Sequence, residues 1–243
     1  MPTSYNPIIA AHRGNAFHYP ENSLIAFQSA WDNKIPYIEL DTRFSKDGVA
    51  VVIHDQKLKR LTGVDQNVSE LDIDELMHLD IGQWKDPRFK GQSIPSLERI
   101  LSKAPKGTKV LVESKAGCND LLIKLGKQFH DKVEFMDFDF EVVSYIKSKL
   151  PHIPVHLLLD DKPQDIEKVI SKALSVNLDG INPCYKIITP DLANAIKTAN
   201  LKLLTWTVDK PEDAIRMVKM KVDIITTNKP VELMEHLVKN NLR

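Results

Sequence analysis

Cysteine is scarce: Cys118 and Cys184 are the only two in 243 residues, too few for a disulfide framework and without the spacing of metal ligands. That excludes a small disulfide-stapled secreted fold. It leaves two small buried side chains, expected in a protein of a reducing cytoplasm. Long hydrophobic runs are missing too, so no transmembrane segment is expected. The short IIAA stretch has no basic segment before it and meets His12-Arg13 too early for a signal peptide. No GxGxxG or Walker loop occurs, which removes the glycine-rich phosphate cradles of nucleotide-binding folds. Charge of one sign is absent as well. Lys and Arg total 33 against 33 for Asp and Glu, so no overall field draws nucleic acid or an anionic membrane, and any phosphate binding must be local.

What is present is alternation. Val-, Ile- and Leu-rich runs predict strands at 7–13, 37–44, 108–114, 133–138, 154–159, 178–183, 202–208 and 222–227, separated by stretches of helical period. Pro190, Pro211 and Pro230 stand where a first helical turn tolerates proline. Eight strand-helix units over residues 1–243 predict an α/β fold, a single (β/α)8 TIM barrel forming one domain. Residues 45–94 are too long for an ordinary strand-to-helix loop and predict a small insertion after the second strand. It starts with a turn at Asp47-Gly48 and a strand delivering His54, then continues as a helical cap with Trp84 and Phe89, expected to narrow the barrel mouth and help select the substrate.

In such barrels the site forms at the carboxyl ends of the strands, which directs attention to the polar residues there. Glu39 and Asp41 are two apart in a strand and share a face, while Ile38 and Leu40 take the other. With Glu113 from the third strand, three carboxylates compete for one volume, and a divalent cation relieves the repulsion. An all-oxygen set favours Mg2+, Ca2+ or Mn2+ over zinc. The plainer alternative is a surface salt-bridge network with nearby lysines. His12 and His54 offer groups that titrate near neutrality and suit a general acid and base. Arg13 and Lys115 add positive charge, and the planar Arg fork matches phosphate oxygens, so the set implies a phosphate ester. Trp206 either lines the mouth near the substrate or fills the barrel. His18, His78, His130, His152, His156 and His236 lack a clustered acidic partner in the sequence and read as structural.

The segments IIAAHRGNAFHYPENSLIAFQSA and YIELDTRFSKDGVAVVIHDQKLKRLTG, with ESK, TWTV and VDIITTNKP further on, resemble the signature motifs of glycerophosphodiester phosphodiesterases over nearly the whole chain. The resemblance implies that His12 and His54 are the acid/base pair and that Glu39, Asp41 and Glu113 hold a divalent cation, Mg2+ or Ca2+. It sets Arg13 and Lys115 against the phosphate, and Glu21 and Asn22 in or behind the pocket wall. The implied reaction converts a small-molecule glycerophosphodiester to glycerol 3-phosphate and an alcohol. Two alternatives stand beside it: a lysophospholipase D-like phosphodiesterase, which needs an apolar groove, and a non-catalytic barrel that binds phosphodiesters. A homodimer is left open. Three departures from the family pattern are expected to matter unequally. Asp137, where relatives carry Ser, adds a carboxylate that would alter headgroup contacts or recruit a cation. Asn228 for Asp and the Lys34-Ile35-Pro36 turn are expected to be peripheral.

Overall fold

In the computed structural model, which describes residues 5–242, eight parallel strands pair in a closed ring. They are β1 (Ile8–His12), β2 (Tyr37–Phe44), β4 (Lys109–Ser114), β5 (Val133–Asp137), β6 (Val155–Leu159), β7 (Gly180–Pro183), β8 (Lys202–Thr205) and β9 (Ile224–Thr227). The ring runs in that order and β9 pairs back onto β1. A ninth strand, β3 (Ala50–Val52), is antiparallel to β2, with Thr42 opposite Val52 and Phe44 opposite Ala50. The barrel is therefore the expected (β/α)8 TIM barrel. The ends of the expected domain, residues 1–4 and 243, lie outside the described residues.

The outer layer comprises α1 (Leu24–Asp32), α4 (Leu97–Lys103), α5 (Asp120–Gln128), α6 (Phe140–Lys149), α7 (Ile166–Ser175), α8 (Pro190–Thr198), α9 (Pro211–Lys219) and α10 (Pro230–Lys239). Local chemistry sets their starts: Ser23, Asn119, Asp139, Asp165 and Thr189 cap α1, α5, α6, α7 and α8 through their side chains, and Pro190, Pro211 and Pro230 open α8, α9 and α10. Strand side chains divide by parity. Ile38, Leu40, Val110, Val112, Val133 and Phe135 join the large core under the helices, whereas Ala10, Leu111, Met136, Leu158, Leu204 and Ile224 fill the barrel interior, each at most 3% exposed. Below that layer the buried Glu134 accepts from Tyr37 Oη at 3.0 Å and meets His156 Nε2 at 2.9 Å.

Residues 45–94 carry β3 and two short helices, α2 (Lys59–Thr62) and α3 (Ile73–Met77). Val51, Ile53, Leu58, Leu61, Val68, Leu71, Leu76, Ile81 and Ile94 form a second buried cluster beside the barrel. The segment is compact enough that a Cβ on Gly82 would fall 1.9 Å from Phe89 O. Some strands end sooner than the hydrophobic runs. Trp206 follows β8 rather than lying in it, and His54 lies two residues past β3. Among the described residues no helix is long and apolar enough to cross a membrane.

Candidate active site

Strand register assembles the carboxyl-end residues. In the β1–β2 pair His12 stands opposite Glu39, and in the β2–β4 pair Asp41 stands opposite Glu113. Because Glu39, Asp41 and Glu113 share the inward parity, three carboxylates meet at the upper end of the interior. The chain leaves β1 through a tight turn with Arg13 at φ 54° and Gly14 at φ 82°. A Cβ on Gly14 would lie 2.7 Å from the Ala26 carbonyl carbon, so only glycine lets the turn rest on α1. The turn aims Arg13 N–H at Glu39 Oε2, 2.9 Å away, and sets Arg13 Nε 3.1 Å from Asp41 Oδ2. Asn22, itself at φ 56°, donates from Nδ2 to Asp41 Oδ2 at 2.8 Å, while Glu21 accepts from Arg13 Nη1 at 2.9 Å. Both residues hold pocket groups from behind.

Oxygens of Glu39, Asp41 and Glu113 lie within 4.8 Å of one another, and all three residues are buried. Burial, then the charges of Asp41 and Glu113, push Glu39 well above the usual carboxylate range. Burial and the Asp41 charge raise Glu113 to about 7, even with Lys115 Nζ 2.5 Å from Oε1. Asp41 behaves differently. Burial would raise it, but Arg13, His54 and Lys115 outweigh that and hold it below its ordinary value. Asp41 Oδ1 is buried without a hydrogen-bond partner, with Lys115 Nζ 3.6 Å away. Two carboxylates driven toward protonation and one orphaned acceptor fit a hard divalent cation, which would satisfy all three at once.

The histidines flank this cluster. His12 Nε2 is 4.0 Å from Glu39 Oε2, and its Nδ1 is 2.7 Å from Asn228 Oδ1. Burial, then Arg13, lower His12 to about 4. His54 is also lowered, mainly by burial, with Asp41 opposing. Its Nδ1 lies 2.7 Å from Asp55 Oδ1. Burial would raise Asp55, but Arg60 and His54 hold it down at about 2. Arg60, from the insertion, donates to Asp55 Oδ2 at 2.5 Å and to both Glu21 oxygens at 2.7 and 3.1 Å. A continuous polar chain thus runs from His54 through Asp55, Arg60 and Glu21 to Arg13.

A cavity of about 220 Å³ opens above these groups, lined by His12, Arg13, Glu39, His54, Glu113, Lys115, Met136, Phe138, Leu158, Trp206, Thr207 and Thr226. Seven of the eight candidate residues line it; Asp41 does not. Its size suits a small polar molecule, since drug-sized ligands occupy roughly 300–1,000 Å³. Trp206 lines the mouth, its Nε1 donating to Asn182 O at 3.1 Å, with Phe138 edge-on at 5.6 Å. The insertion reaches the cavity through His54, which lines it, while no residue of 56–94 does; of that later part, Arg60 bonds to Asp55 and Glu21 behind the site.

Other expectations change as well. Asp137 points out of the cavity and is committed to Ser114 Oγ at 2.8 Å and Asp139 N–H at 2.8 Å. Asn228, expected to be peripheral, touches His12. His156 and His18 do have acidic partners, Glu134 and Glu232, brought from far along the chain. Neither lines the cavity. Sequence reasoning missed Asn228, Asp209, Arg60 and Phe138. The rule that polar residues at strand ends matter would have reached Asn228 and Asp209 had it been extended to β8 and β9. Nothing local marks Arg60.

Residues 12–232 match the glycerophosphoryl diester phosphodiesterase family. The chain is 32% identical over 235 residues to a glycerophosphodiester phosphodiesterase of Caldanaerobacter subterraneus subsp. tengcongensis, covering 93% of this chain and 96% of that one. Among solved structures it is similar to an Oleispira antarctica phosphodiesterase in complex with the product sn-glycerol-3-phosphate, at TM-score 0.86 and 24% identity over 97% and 98% of the two chains. A glycerophosphodiester phosphodiesterase of Agrobacterium tumefaciens gives TM-score 0.79 and 26% identity over 94% and 99%.

Proposed function

The chain belongs to the glycerophosphoryl diester phosphodiesterase family, and we propose that it hydrolyses glycerophosphodiesters to glycerol 3-phosphate and an alcohol, with His12 and His54 moving the protons. What supports this reading above all is the convergence of three buried carboxylates, two histidines and two cationic side chains around one small cavity. Glu39, Asp41 and Glu113 would hold a divalent cation, Mg2+ or Ca2+, which when bound supplies positive charge to offset that developing on the phosphoryl oxygens. Arg13 and Lys115 bind and orient the phosphate. One histidine accepts the proton of the nucleophile, water or the glycerol 2-hydroxyl, as its oxygen bonds to phosphorus. The other donates a proton to the departing alcohol oxygen as the old P–O bond breaks. Met136, Leu158, Phe138 and Trp206 form the apolar wall on which the alcohol rests.

A second reading, action on lysophospholipids, is favoured by one observation. A furrow of about 270 Å³, lined by Phe138, Phe140, Leu157 to Leu159 and Val169 together with Asp160, Gln164 and Lys172, shares Phe138 and Leu158 with the cavity. A cytoplasmic location is in keeping with two free cysteines. Light scattering of the metal-loaded protein tests for a homodimer.

The deciding experiment is a turnover screen of glycerophosphocholine, glycerophosphoethanolamine, lysophosphatidylcholine and a nitrophenyl phosphodiester, with EDTA and then with Mg2+ or Ca2+ restored. Activity on the glycerol esters should vanish with chelation and return with the cation. His12→Ala and His54→Ala should each cost about 10²–10⁴-fold in rate on the alkyl esters, and the nitrophenyl ester should restore only the mutant lacking the proton donor. Full turnover after exhaustive chelation, or equal rescue of both mutants, would refute the assignment.

A further inference from the structure

Behind His12 lies a hydrogen-bonded series that the proposed chemistry does not use. We propose that Asn228 and Asp209 are positioning residues that hold neutral His12 with its proton on Nδ1, so that the bare Nε2 faces the cavity. This deepens the function proposed above and rests on it.

The donors and acceptors around Asp209 leave one arrangement. Asp209, just past β8, accepts at Oδ1 from Asn228 N–H at 2.8 Å and from Thr227 Oγ at 2.9 Å. Its Oδ2 lies 2.7 Å from Asn228 Nδ2. A carboxylate only accepts, so the NH2 end of the Asn228 amide must face Asp209; the reverse orientation would set two acceptor oxygens 2.7 Å apart. The carbonyl end is thereby fixed toward His12, with Oδ1 2.7 Å from Nδ1. An amide oxygen accepts, so Nδ1 must carry hydrogen. A neutral imidazole has one N–H, and Nε2 is left with its lone pair. The main chain holds the amide in place too, since Phe17 N–H donates to Asn228 O at 3.0 Å and Val208 N–H to Thr226 O at 2.9 Å. Those bonds tie the loop after β1 and the segment after β8 to the end of β9.

The consequence is functional. Held this way, neutral His12 can take a proton from the nucleophile but cannot give one, which leaves donation to His54. His54 is backed differently, by the carboxylate of Asp55. The Asn at position 228 serves as a one-way connector: it passes the acceptor character of Asp209 to His12 without placing a second negative charge against the ring.

The test uses the Mg2+-loaded enzyme. Long-range 1H–15N correlation of 15N-histidine-labelled wild type, at a pH where His12 is neutral, should report the Nδ1–H tautomer. In Asn228→Leu, which keeps the volume and removes the acceptor, the proton should move to Nε2. The kcat for glycerophosphocholine should fall about 10²–10⁴-fold, the worth of the proton-transfer step, with little change in KM. The loss should persist with the nitrophenyl ester. A wild-type His12 carrying its proton on Nε2 overturns the proposal, and that measurement needs no variant. Asn228→Leu with undiminished kcat, or rescued by the phenol leaving group, overturns it as well. Undiminished activity in His12→Ala would instead refute the proposed function, so the two failures are distinguishable.

Discussion

Glu113 offers a direct measure of what three crowded carboxylates cost the fold. Unfolded, its carboxyl titrates near the ordinary 4.5; folded, burial and the Asp41 charge raise it to about 7. Between those values the folded chain keeps a proton that the unfolded chain has released, so stability falls as pH rises through the window. At about 1.4 kcal/mol per pH unit, the gap corresponds to about 3 kcal/mol, fully present as a loss above pH 7 and absent below 4.5. For a chain of this length that is about 6–12 °C in Tm. The perturbation is Glu113→Gln, which keeps the shape and an acceptor for Lys115 but cannot ionise. Thermal unfolding of chelator-treated protein, followed by circular dichroism on both sides of the window, should show wild type losing this much stability relative to Glu113→Gln as pH rises. Comparing the two chains cancels what they share; Glu39, which the Glu113 charge helps to raise, relaxes in the variant and adds to the difference in the same direction. Added Mg2+ or Ca2+ should recover wild type most at the higher pH, where no proton must be displaced, and should recover the variant far less. Parallel pH dependences in the two chains, or a wild type that gains on the variant as pH rises, would show that the carboxylates do not burden one another as argued.

Two further outcomes follow from the residues around the cavity. Arg60→Ala breaks the link between Asp55 and Glu21 and should lower kcat about 10-fold, by the loss of supporting hydrogen bonds behind His54 and Arg13, while the cation still protects the fold in thermal shift; unchanged kcat would refute the link. Phe138→Ala removes half of the aromatic pair at the mouth and should lower kcat/KM for the choline ester relative to an uncharged alcohol ester by about 3- to 30-fold; a parallel drop for both esters would exclude a role in headgroup choice.

The parts legible in the sequence share a physical cause. Strand alternation put Glu39 and Asp41 on one face, and the strand-end rule found His12, Glu113 and Lys115, because both depend on periodicities of two within a short run. The barrel was readable from eight apolar runs for the same reason. What escaped depended on contacts between distant segments. Asn228 lies 216 positions from the ring it touches, and Arg60 lies 39 from Glu21. Asp137 was misjudged in the other direction: parity turns it outward, and Ser114, opposite on the neighbouring strand end, takes up its oxygen. The apolar residues of 56–94 turn inward to a cluster of their own, and that segment's link toward the site, Arg60 bonded to Asp55 and Glu21, joins residues far apart in sequence.

The apolar layer of Ala10, Leu111, Met136, Leu158, Leu204 and Ile224 seals the barrel beneath the carboxylates. Traffic through the site is therefore one-ended. On the proposed reading, substrate would enter and both products leave from the same side, past Phe138 and Trp206. With the phosphate held by Arg13 and Lys115 on that reading, the phosphate-bearing fragment would leave after the alcohol in front of it. A vestibule closed at one end would thereby impose an order on departure that no individual residue encodes, and it would let the alcohol extend outward without altering the place where the bond is cut.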